Sequence, residues 1–232
     1  TRERALWLRS FAKRTAGVRP AVSNVYHACV QKTGSQWISS VFRDRRLQRI
    51  SGLRAFPQFR YEWGEFRRRF PRYTFVPGLY ISRGLYEEIE KPDNYRTFYV
   101  LRDPRDTIVS WYYSMRDSHR LMGKVFKHRA KLQQLGVDEG LAYCIKAYQL
   151  KLSYMRSWAY ASDDPRTLFI KLEELSSDPV EGFERIMQHC QIPIERSDLE
   201  DILASYTRQK MRRRDIAVRE DARGNVIGQL LL

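Results

Sequence analysis

The stretch Asn24-Val-Tyr-His-Ala-Cys-Val-Gln-Lys-Thr-Gly-Ser-Gln-Trp37 joins an apolar run to a short polar loop with one glycine. Residues Asn24 to Val30 have the composition of a buried strand, and a helix-compatible segment follows from Gln36 to about Arg46. The order strand, tight loop and helix is the building unit of a parallel sheet.

Two further apolar runs repeat this arrangement. Thr97 to Leu101 is short and continuously apolar, and its loop, Arg102-Asp-Pro-Arg, leads into a helix from Asp106. Thr167 to Lys171 precedes an acidic stretch and then a helical pattern from Val180 to Cys190. The alternation predicts an α/β fold, a single domain with a central parallel β-sheet covered by helices on both faces.

Length and composition agree with one folded domain. The chain has 232 residues, of which 43% are hydrophobic, enough to bury a full core. We expect one domain over residues 1–232, with a basic helical extension at 1–20 and a divergent or incomplete segment at 207–232. No apolar run approaches the roughly 18 residues of a membrane span, so we expect no transmembrane segment.

Cysteine and histidine usage argues against disulfides and metal. The three cysteines form no CxxC pair, and the four histidines are not at metal-ligand spacing from one another. We therefore expect no metal and a reducing, cytoplasmic location. A lumenal location is the alternative, if a targeting segment precedes this sequence.

The formal net charge of +15 indicates an anionic partner. Nucleic acid, an anionic membrane and an anionic small substrate all fit that charge. The basic runs Arg43 to Arg46, Arg67 to Arg69 and Arg212 to Arg214 are far apart in the sequence and lie beside no zinc finger or RNP-type motif. We therefore expect no nucleic acid partner.

The loop after the first predicted strand has the residues of an oxyanion cradle. Gly34 lets the backbone curl around an anion, Ser35 and Gln36 can donate hydrogen bonds, and Lys32 brings a full charge to a helix N-terminus. It is not a Walker A loop, because that motif needs a glycine well before the lysine and a hydroxyl directly after a Gly-Lys pair, whereas here Lys32 precedes Gly34. An ordinary turn is the alternative.

The loop after the second predicted strand places Arg102 at a strand end and Ser110 two turns into the next helix. A guanidinium suits bidentate capture of a terminal phosphate. The alternative is a loop salt bridge between Arg102 and Asp106.

Together these loops resemble those of sulfotransferases that use 3′-phosphoadenosine 5′-phosphosulfate, PAPS. Gln31-Lys-Thr-Gly-Ser-Gln-Trp37 resembles the family's 5′-phosphosulfate loop, PKSGTTW-like, and Tyr99 to Ser110 resembles its 3′-phosphate segment, a strand followed by R-[DN]-P-[RK]-D-x-x-x-S. Ile170-Lys-Leu-Glu-Glu-Leu-Ser-Ser-Asp-Pro179 resembles a third landmark, YEDL followed by a DP pair. The resemblance implies the sulfotransferase fold, a relative of P-loop kinases, with PAPS as donor, PAP as product and no metal.

The resemblance also implies roles for individual residues. Lys32 would contact the 5′-phosphosulfate and stabilise charge on the bridging oxygen as the S–O bond breaks. Arg102 and Ser110 would hold the 3′-phosphate, and Trp37 would lie near the adenine. The 5′-phosphate would be lined by Thr33, Gly34, Ser35 and Gln36.

The chain departs from the family pattern at several positions. Gln31 replaces the usual proline, Gln36 a threonine and Leu172 a tyrosine. Near the end, the family has an aromatic before a methionine and then an RKGxxGDW-like segment around the nucleotide. The corresponding residues here would be Tyr206, followed by Arg223 and Gly224, with one residue too many between the glycines and no DW.

The base that takes the acceptor's proton is open. Many family members have a histidine in a Thr-His-Leu-Pro element, and Tyr80 occupies about that position here. A tyrosine with an ordinary pKa near 10 is a poor base at neutral pH, although neighbouring cations favour its phenolate. His119 and Glu62 are the other candidates. All three also have an ordinary structural alternative. Tyr80 would be a packed aromatic, His119 a surface loop residue and Glu62 the ion-pair partner of Arg60.

The expected acceptor is bulky and anionic, a small molecule, glycan or lipid. Between the first two landmarks, aromatic residues from Phe56 to Phe70 alternate with arginines. Aromatic faces suit sugar rings or apolar chains, and arginines suit carboxylate, phosphate or sulfate. Two other functions stay open: a noncatalytic polyanion binder of the same fold, and an ATP-dependent kinase, which the absence of Walker A disfavours.

Overall fold

A five-stranded parallel sheet forms the centre of the computed structural model, which describes residues 18–57, 69–119, 121, 123–159, 163–207 and 209–211. The strands lie in the order β2-β3-β1-β4-β5, and every neighbouring pair is parallel. Their bounds are β1 Asn24–Cys29, β2 Arg54–Ala55, β3 Thr74–Leu79, β4 Tyr95–Leu101 and β5 Thr167–Lys171.

Helices connect the strands and cover the sheet. They are α1 Ser35–Phe42, α2 Arg45–Ser51, α3 Arg83–Glu87, α4 Pro104–Tyr113, α5 Val125–Gln133, α6 Val137–Ala159, α7 Leu172–Ser177, α8 Pro179–His189 and α9 Arg196–Ala204. A π-helical turn, Ser114–Ser118, continues α4. None of the described helices is both long and apolar enough to cross a bilayer.

The two sheet faces carry separate apolar clusters because side chains alternate along each strand. Val25 and Cys29 of β1 pack with α1, α2, α8 and α9, whereas Tyr26 and Ala28 pack with residues of α3 and with Trp158 of α6. Every residue of β1 is buried, as a strand covered on both faces requires. The prediction of a single α/β domain with a central parallel sheet is confirmed.

The predicted helix from Gln36 to Arg46 is in fact two helices. The first ends at Phe42, and Asp44 caps the second by accepting the backbone N–H of Arg46 at 2.8 Å. A short acidic side chain that turns back on the backbone two residues ahead favours a helix start over a helix interior. The three predicted strands and the helix beginning near Val180 are found within a few residues of their predicted bounds.

The sequence analysis missed β3 because Pro77 and Gly78 lie inside it. Both residues weaken an ordinary strand pattern, and together they are typical of turns. The strand tolerates them because it carries a bulge: Tyr26 of β1 is paired with Val76, but Ala28 is paired with Leu79. Of the expected terminal segments, 1–20 and 207–232, only residues 18–20, 207 and 209–211 lie among the described residues.

Trp158 on α6 is the largest fully buried side chain on the sheet face that lies away from α1. Its indole stacks on Tyr99 with 4.7 Å between ring centroids, and its N–H donates to the carbonyl of Ile81 at 3.0 Å. Replacing it removes ring area and leaves a carbonyl unpaired.

We predict that Trp158→Phe lowers the free energy of unfolding by about 2–3 kcal/mol, because it combines a small cavity with a lost buried hydrogen bond. Denaturant-induced unfolding measures this effect. Tyr113→Phe is the control, since Tyr113 is 51% exposed, and it should change the stability by less than about 0.5 kcal/mol. Equal effects of the two substitutions would contradict the packing described for α6.

Candidate functional site

The carboxyl ends of four parallel strands meet around the loop that follows β1. The end of β4 contacts this loop through Arg102, whose Nη1 donates to the carbonyl of Lys32 at 2.8 Å. The end of β3 contacts it through Tyr80, whose hydroxyl lies 2.7 Å from Ser35 Oγ. Because β1 lies between β3 and β4, this is the switch point of the sheet, where open parallel sheets bind ligands.

Two hydrogen bonds hold the loop in a strained backbone conformation. Lys32 has a φ of 72°, a left-handed value that is uncommon for a residue with a side chain. The hydroxyl of Tyr148, on α6, donates to the carbonyl of Gln31 at 2.7 Å, and Arg102 holds the next carbonyl. In a planar peptide the N–H points away from the preceding carbonyl, so the amides of Lys32 and Thr33 point away from these two donors.

Gly34 is the residue before α1, and a side chain there would be strained. Its φ is 76°, and a Cβ at this position would lie 2.7 Å from Cδ1 of Leu172, the first residue of α7. It offers no side chain to cap the helix, so the first-turn amides of α1 keep their capacity to bind an anion. The end of β5 thus contacts the same loop as β3 and β4.

The two cations at the loop repel each other. Burial lowers the pKa of Lys32, and the positive charge of Arg102 lowers it further. A partly desolvated ammonium near a guanidinium, at a loop that leads into an uncapped helix N-terminus, gains free energy when anionic groups bind at the loop. The arrangement therefore suits a phosphate or sulfate group.

The acidic side chains of the neighbouring loops are already paired. Asp103 accepts from Arg105 at 2.6 Å, and the hydrogen bonds from Arg105 lower the pKa of Asp103 to about 2. Glu173 accepts the backbone N–H of Asp103 at 3.3 Å. Within the described part of the chain, no ion pair joins Arg102 to Asp106, so that alternative for Arg102 is wrong.

Other expected cofactor-binding residues lie on the loop after β1, on α1 and on α4. Thr33 is buried and donates to the carbonyl of Val30 at 2.7 Å, while Gln36 is exposed in the first turn of α1. Trp37 packs edge-on against Phe183 of α8, with ring centroids 5.2 Å apart. Ser110 is half-buried on α4, two turns beyond Arg102.

Two expected site residues lie at the ends of helices. Tyr206 hydrogen bonds to Asp44, the residue that caps α2. His119 follows the π-helical turn after α4, about 20 Å of helix from Arg102. The roles expected for them, a nucleotide contact for Tyr206 and the base for His119, stay predictions. Glu62, Arg223 and Gly224 lie outside the described residues.

The sequence analysis missed the functional importance of Tyr148 and Leu172. Tyr148 belongs to the apolar stripe of a long helix, a pattern that predicts packing and carries no sign of a hydrogen bond to a loop 117 residues away. Leu172 was read only as a departure from the family's tyrosine, whereas it closes the space over Gly34. In the part of the chain that the structure describes, no three His, Cys, Asp or Glu residues are grouped to hold a metal ion.

The chain is similar to known sulfotransferases in sequence and in fold. A profile of the sulfotransferase domain matches residues 25–224. Mouse sulfotransferase SULT7A1 complexed with PAP superposes with a TM-score of 0.56 at 18% identity, covering 82% of this chain and 66% of that one. Retinol dehydratase in complex with androsterone and inactive cofactor PAP gives a TM-score of 0.53 at 14% identity, covering 85% and 67%.

These structures share the fold of this chain, and the chain spans about two thirds of their length. No curated protein sequence matches it significantly. The domain profile covers most of the chain, including the loop after β1 and the loop after β4. By that match, and in agreement with its three sequence landmarks, the chain belongs to the sulfotransferase family.

Proposed function

We propose that this protein transfers the sulfuryl group of PAPS to a hydroxyl or amine of an acceptor. The observation that carries the proposal is the pair of Lys32 and Arg102 at a strained loop that leads into the uncapped N-terminus of α1. The fit of an anionic group to this loop is supported by Gly34, where a side chain would fill the space between the loop backbone and Leu172.

When bound, PAPS supplies a sulfuryl group on a phosphate leaving group, so that one S–O bond breaks and another forms to the acceptor. Lys32 neutralises the charge that develops on the bridging oxygen. The amides of Lys32, Thr33 and the first turn of α1 hold the 5′-phosphate. Arg102 and Ser110 hold the 3′-phosphate, and Trp37 borders the adenine. Alignment and charge neutralisation are what a loose in-line transfer needs, by analogy with phosphoryl transfer.

Tyr80 is the residue we assign to the acceptor's proton. Its hydroxyl contacts Ser35 in the first turn of α1, so it is one hydrogen bond from the donor site. A base must lie within reach of the reacting groups; Tyr80 contacts the first residue of α1, whereas His119 lies beyond the far end of α4 from Arg102. A tyrosine at this position accepts a hydrogen bond from the acceptor hydroxyl. As the new S–O bond forms, it would take the acceptor's proton and give its own to a 5′-phosphate oxygen of PAP, which gains charge as its bond to sulfur breaks.

We also propose a bulky, anionic acceptor and a cytoplasmic location. The acceptor assignment is supported by the aromatic and arginine-rich composition between β2 and β3. The location is supported by Cys29, Cys144 and Cys190, which are all buried free thiols, as suits a reducing compartment.

A comparison of three ligands by thermal unfolding tests the proposed function. A ligand that binds only the native state raises the unfolding temperature. We expect a clear increase with PAP and none with ATP and magnesium. An increase only with heparin would instead indicate a noncatalytic polyanion binder, and an increase only with ATP and magnesium would indicate a kinase.

We predict that Lys32→Ala abolishes turnover of PAPS but changes the dissociation constant of PAP by less than about tenfold, because its charge acts mainly on the breaking bond. Radiolabelled transfer and calorimetric titration measure the two quantities. Lys171→Ala removes an exposed lysine from the end of β5 and is the control. Near-normal turnover in the Lys32 variant would disprove the role of Lys32.

We predict that Arg102→Ala weakens PAP more than adenosine 5′-phosphosulfate, which lacks the 3′-phosphate. The difference should be about 1.5–3 kcal/mol, the contribution of a charge-assisted hydrogen bond. The loss of affinity that is common to both ligands measures the effect of losing the hydrogen bond from Arg102 to the carbonyl of Lys32. Arg105→Ala, in the same loop but paired with Asp103, should affect both ligands little. Equal losses for both ligands in the Arg102 variant would show that Arg102 only supports the loop.

We predict that anionic glycans or acidic lipids accept the sulfuryl group at least about tenfold faster than simple phenols, because a guanidinium contact contributes more than 1.4 kcal/mol. A screen with labelled PAPS and matched neutral and acidic acceptors measures the preference. Comparable rates for phenols would indicate that the arginines serve other purposes.

A further inference from the structure

The bulge in β3 decides on which face of the sheet Tyr80 lies. From Val76 to Leu79 the strand advances three residues, while its partner β1 advances two, from Tyr26 to Ala28. The extra residue is accommodated at Gly78, whose φ is 59°. Glycine at a positive φ is a common way to build a bulge.

The apolar clusters show the effect of this extra residue. Before the bulge, Phe75 belongs to the α1 face and Val76 to the opposite face. After it, Leu79 and Ile81 belong to the opposite face, and Tyr80 packs with the α1 face. Without the bulge, strict alternation would place Tyr80 on the face away from α1. The contact between Tyr80 and Ser35 therefore depends on the bulge.

His27 of β1 supplies the hydrogen bond that the bulge lacks. A bulge leaves a backbone group without its partner in the ladder. Here the N–H of Gly78 donates to Nδ1 of His27 at 3.3 Å. The imidazole thus replaces a strand carbonyl at the one place where the register between β1 and β3 shifts.

His27 is fully buried between aromatic rings and is neutral. It stacks on Phe98 at 4.8 Å between centroids and lies parallel to Phe75 at 6.4 Å. Burial lowers the pKa of His27 to about 3. Because Nδ1 accepts, Nε2 carries the proton, and it has no hydrogen-bond partner among the described residues. An unpaired buried donor is destabilising, so an apolar residue would suit packing alone better.

We infer that His27 is a positioning residue, which fixes the β3 bulge through the amide of Gly78 and so directs Tyr80 towards Ser35 and the sulfuryl-transfer site. The part of this inference that concerns Tyr80 and turnover rests on the proposed function, whereas the part that concerns the bulge does not. It goes beyond the packing role that a buried strand residue would have. It also accounts for a histidine whose second nitrogen is unpaired.

Two substitutions separate positioning from packing. His27→Leu keeps a side chain of similar volume but offers no acceptor to the backbone N–H of Gly78. His27→Asn is smaller, yet its Oδ1 occupies about the place of Nδ1 and accepts the same hydrogen bond. We expect the leucine variant to be the more stable of the two, as judged by its unfolding temperature. The asparagine variant should nevertheless retain the higher turnover of PAPS.

Three measurements test the inference. In His27→Leu we expect turnover to fall at least about tenfold, exchange of the Gly78 amide hydrogen to become at least about tenfold faster, and the Tyr80–Ser35 hydrogen bond to be absent from the crystal structure. In His27→Asn all three should stay close to wild type. In a Tyr80→Phe background, His27→Leu should cause no further loss of turnover.

Each contrary result is distinct. Unchanged Gly78 exchange in His27→Leu, or turnover that follows stability across the two variants, would overturn the inference. Faster exchange with an intact Tyr80–Ser35 hydrogen bond would overturn the link to Tyr80. If the wild-type protein transfers no sulfuryl group from PAPS, the proposed function fails, but amide exchange and the crystal structures still decide the role of His27.

Discussion

The hydrogen bond from Arg102 to the carbonyl of Lys32 connects the two loops on which the site is built. It ties the end of β4 to the loop after β1 and, with Tyr148 on the preceding carbonyl, keeps Lys32 in the left-handed region. Such a backbone conformation persists only when its surroundings hold it. The amides of Lys32 and Thr33 therefore point away from Arg102 and Tyr148, and the loop leads into the uncapped start of α1.

The same bond brings two positive charges together, and the surrounding structure leaves their repulsion in place. The central strand is buried on both faces, so the loop at its end has rigid support. Arg105 is paired with Asp103, and Asp103 in turn contacts Glu173, so these carboxylates are engaged with partners other than Lys32 and Arg102. The field at the loop therefore stays positive, and an anionic ligand relieves the repulsion.

The sequence predicted those parts of the fold that follow from local patterns. Apolar runs ending in polar loops predicted β1, β4 and β5, and the lysine and arginine loops predicted a binding site at the ends of β1 and β4, two loops that the structure joins through a hydrogen bond. It could not predict β3, because Pro77 and Gly78 interrupt the pattern, and their tolerance depends on His27 in a different strand. Nor could it predict the support from Tyr148, since a core tyrosine and a hydrogen-bonding tyrosine have the same periodicity.

Motif spacing alone does not tell where Tyr206, His119 and Tyr80 lie relative to the loop after β1. In the structure Tyr206 contacts Asp44 beyond α1, and His119 follows the π-helical turn after α4. Tyr80 contacts Ser35 of α1, because one extra residue in β3 changes the face on which it lies. A local irregularity of the backbone such as this bulge is not visible in motif spacing.

A crystal structure of the protein with PAP tests the central claim most directly. The account predicts the 5′-phosphate against Lys32 and the amides at the start of α1, with the 3′-phosphate in contact with Arg102 and Ser110. Neither loop should need to rearrange, since the hydrogen bonds of Gln31 and Lys32 already hold them. PAP bound elsewhere, or bound here only after the Arg102–Lys32 hydrogen bond breaks, would contradict the account.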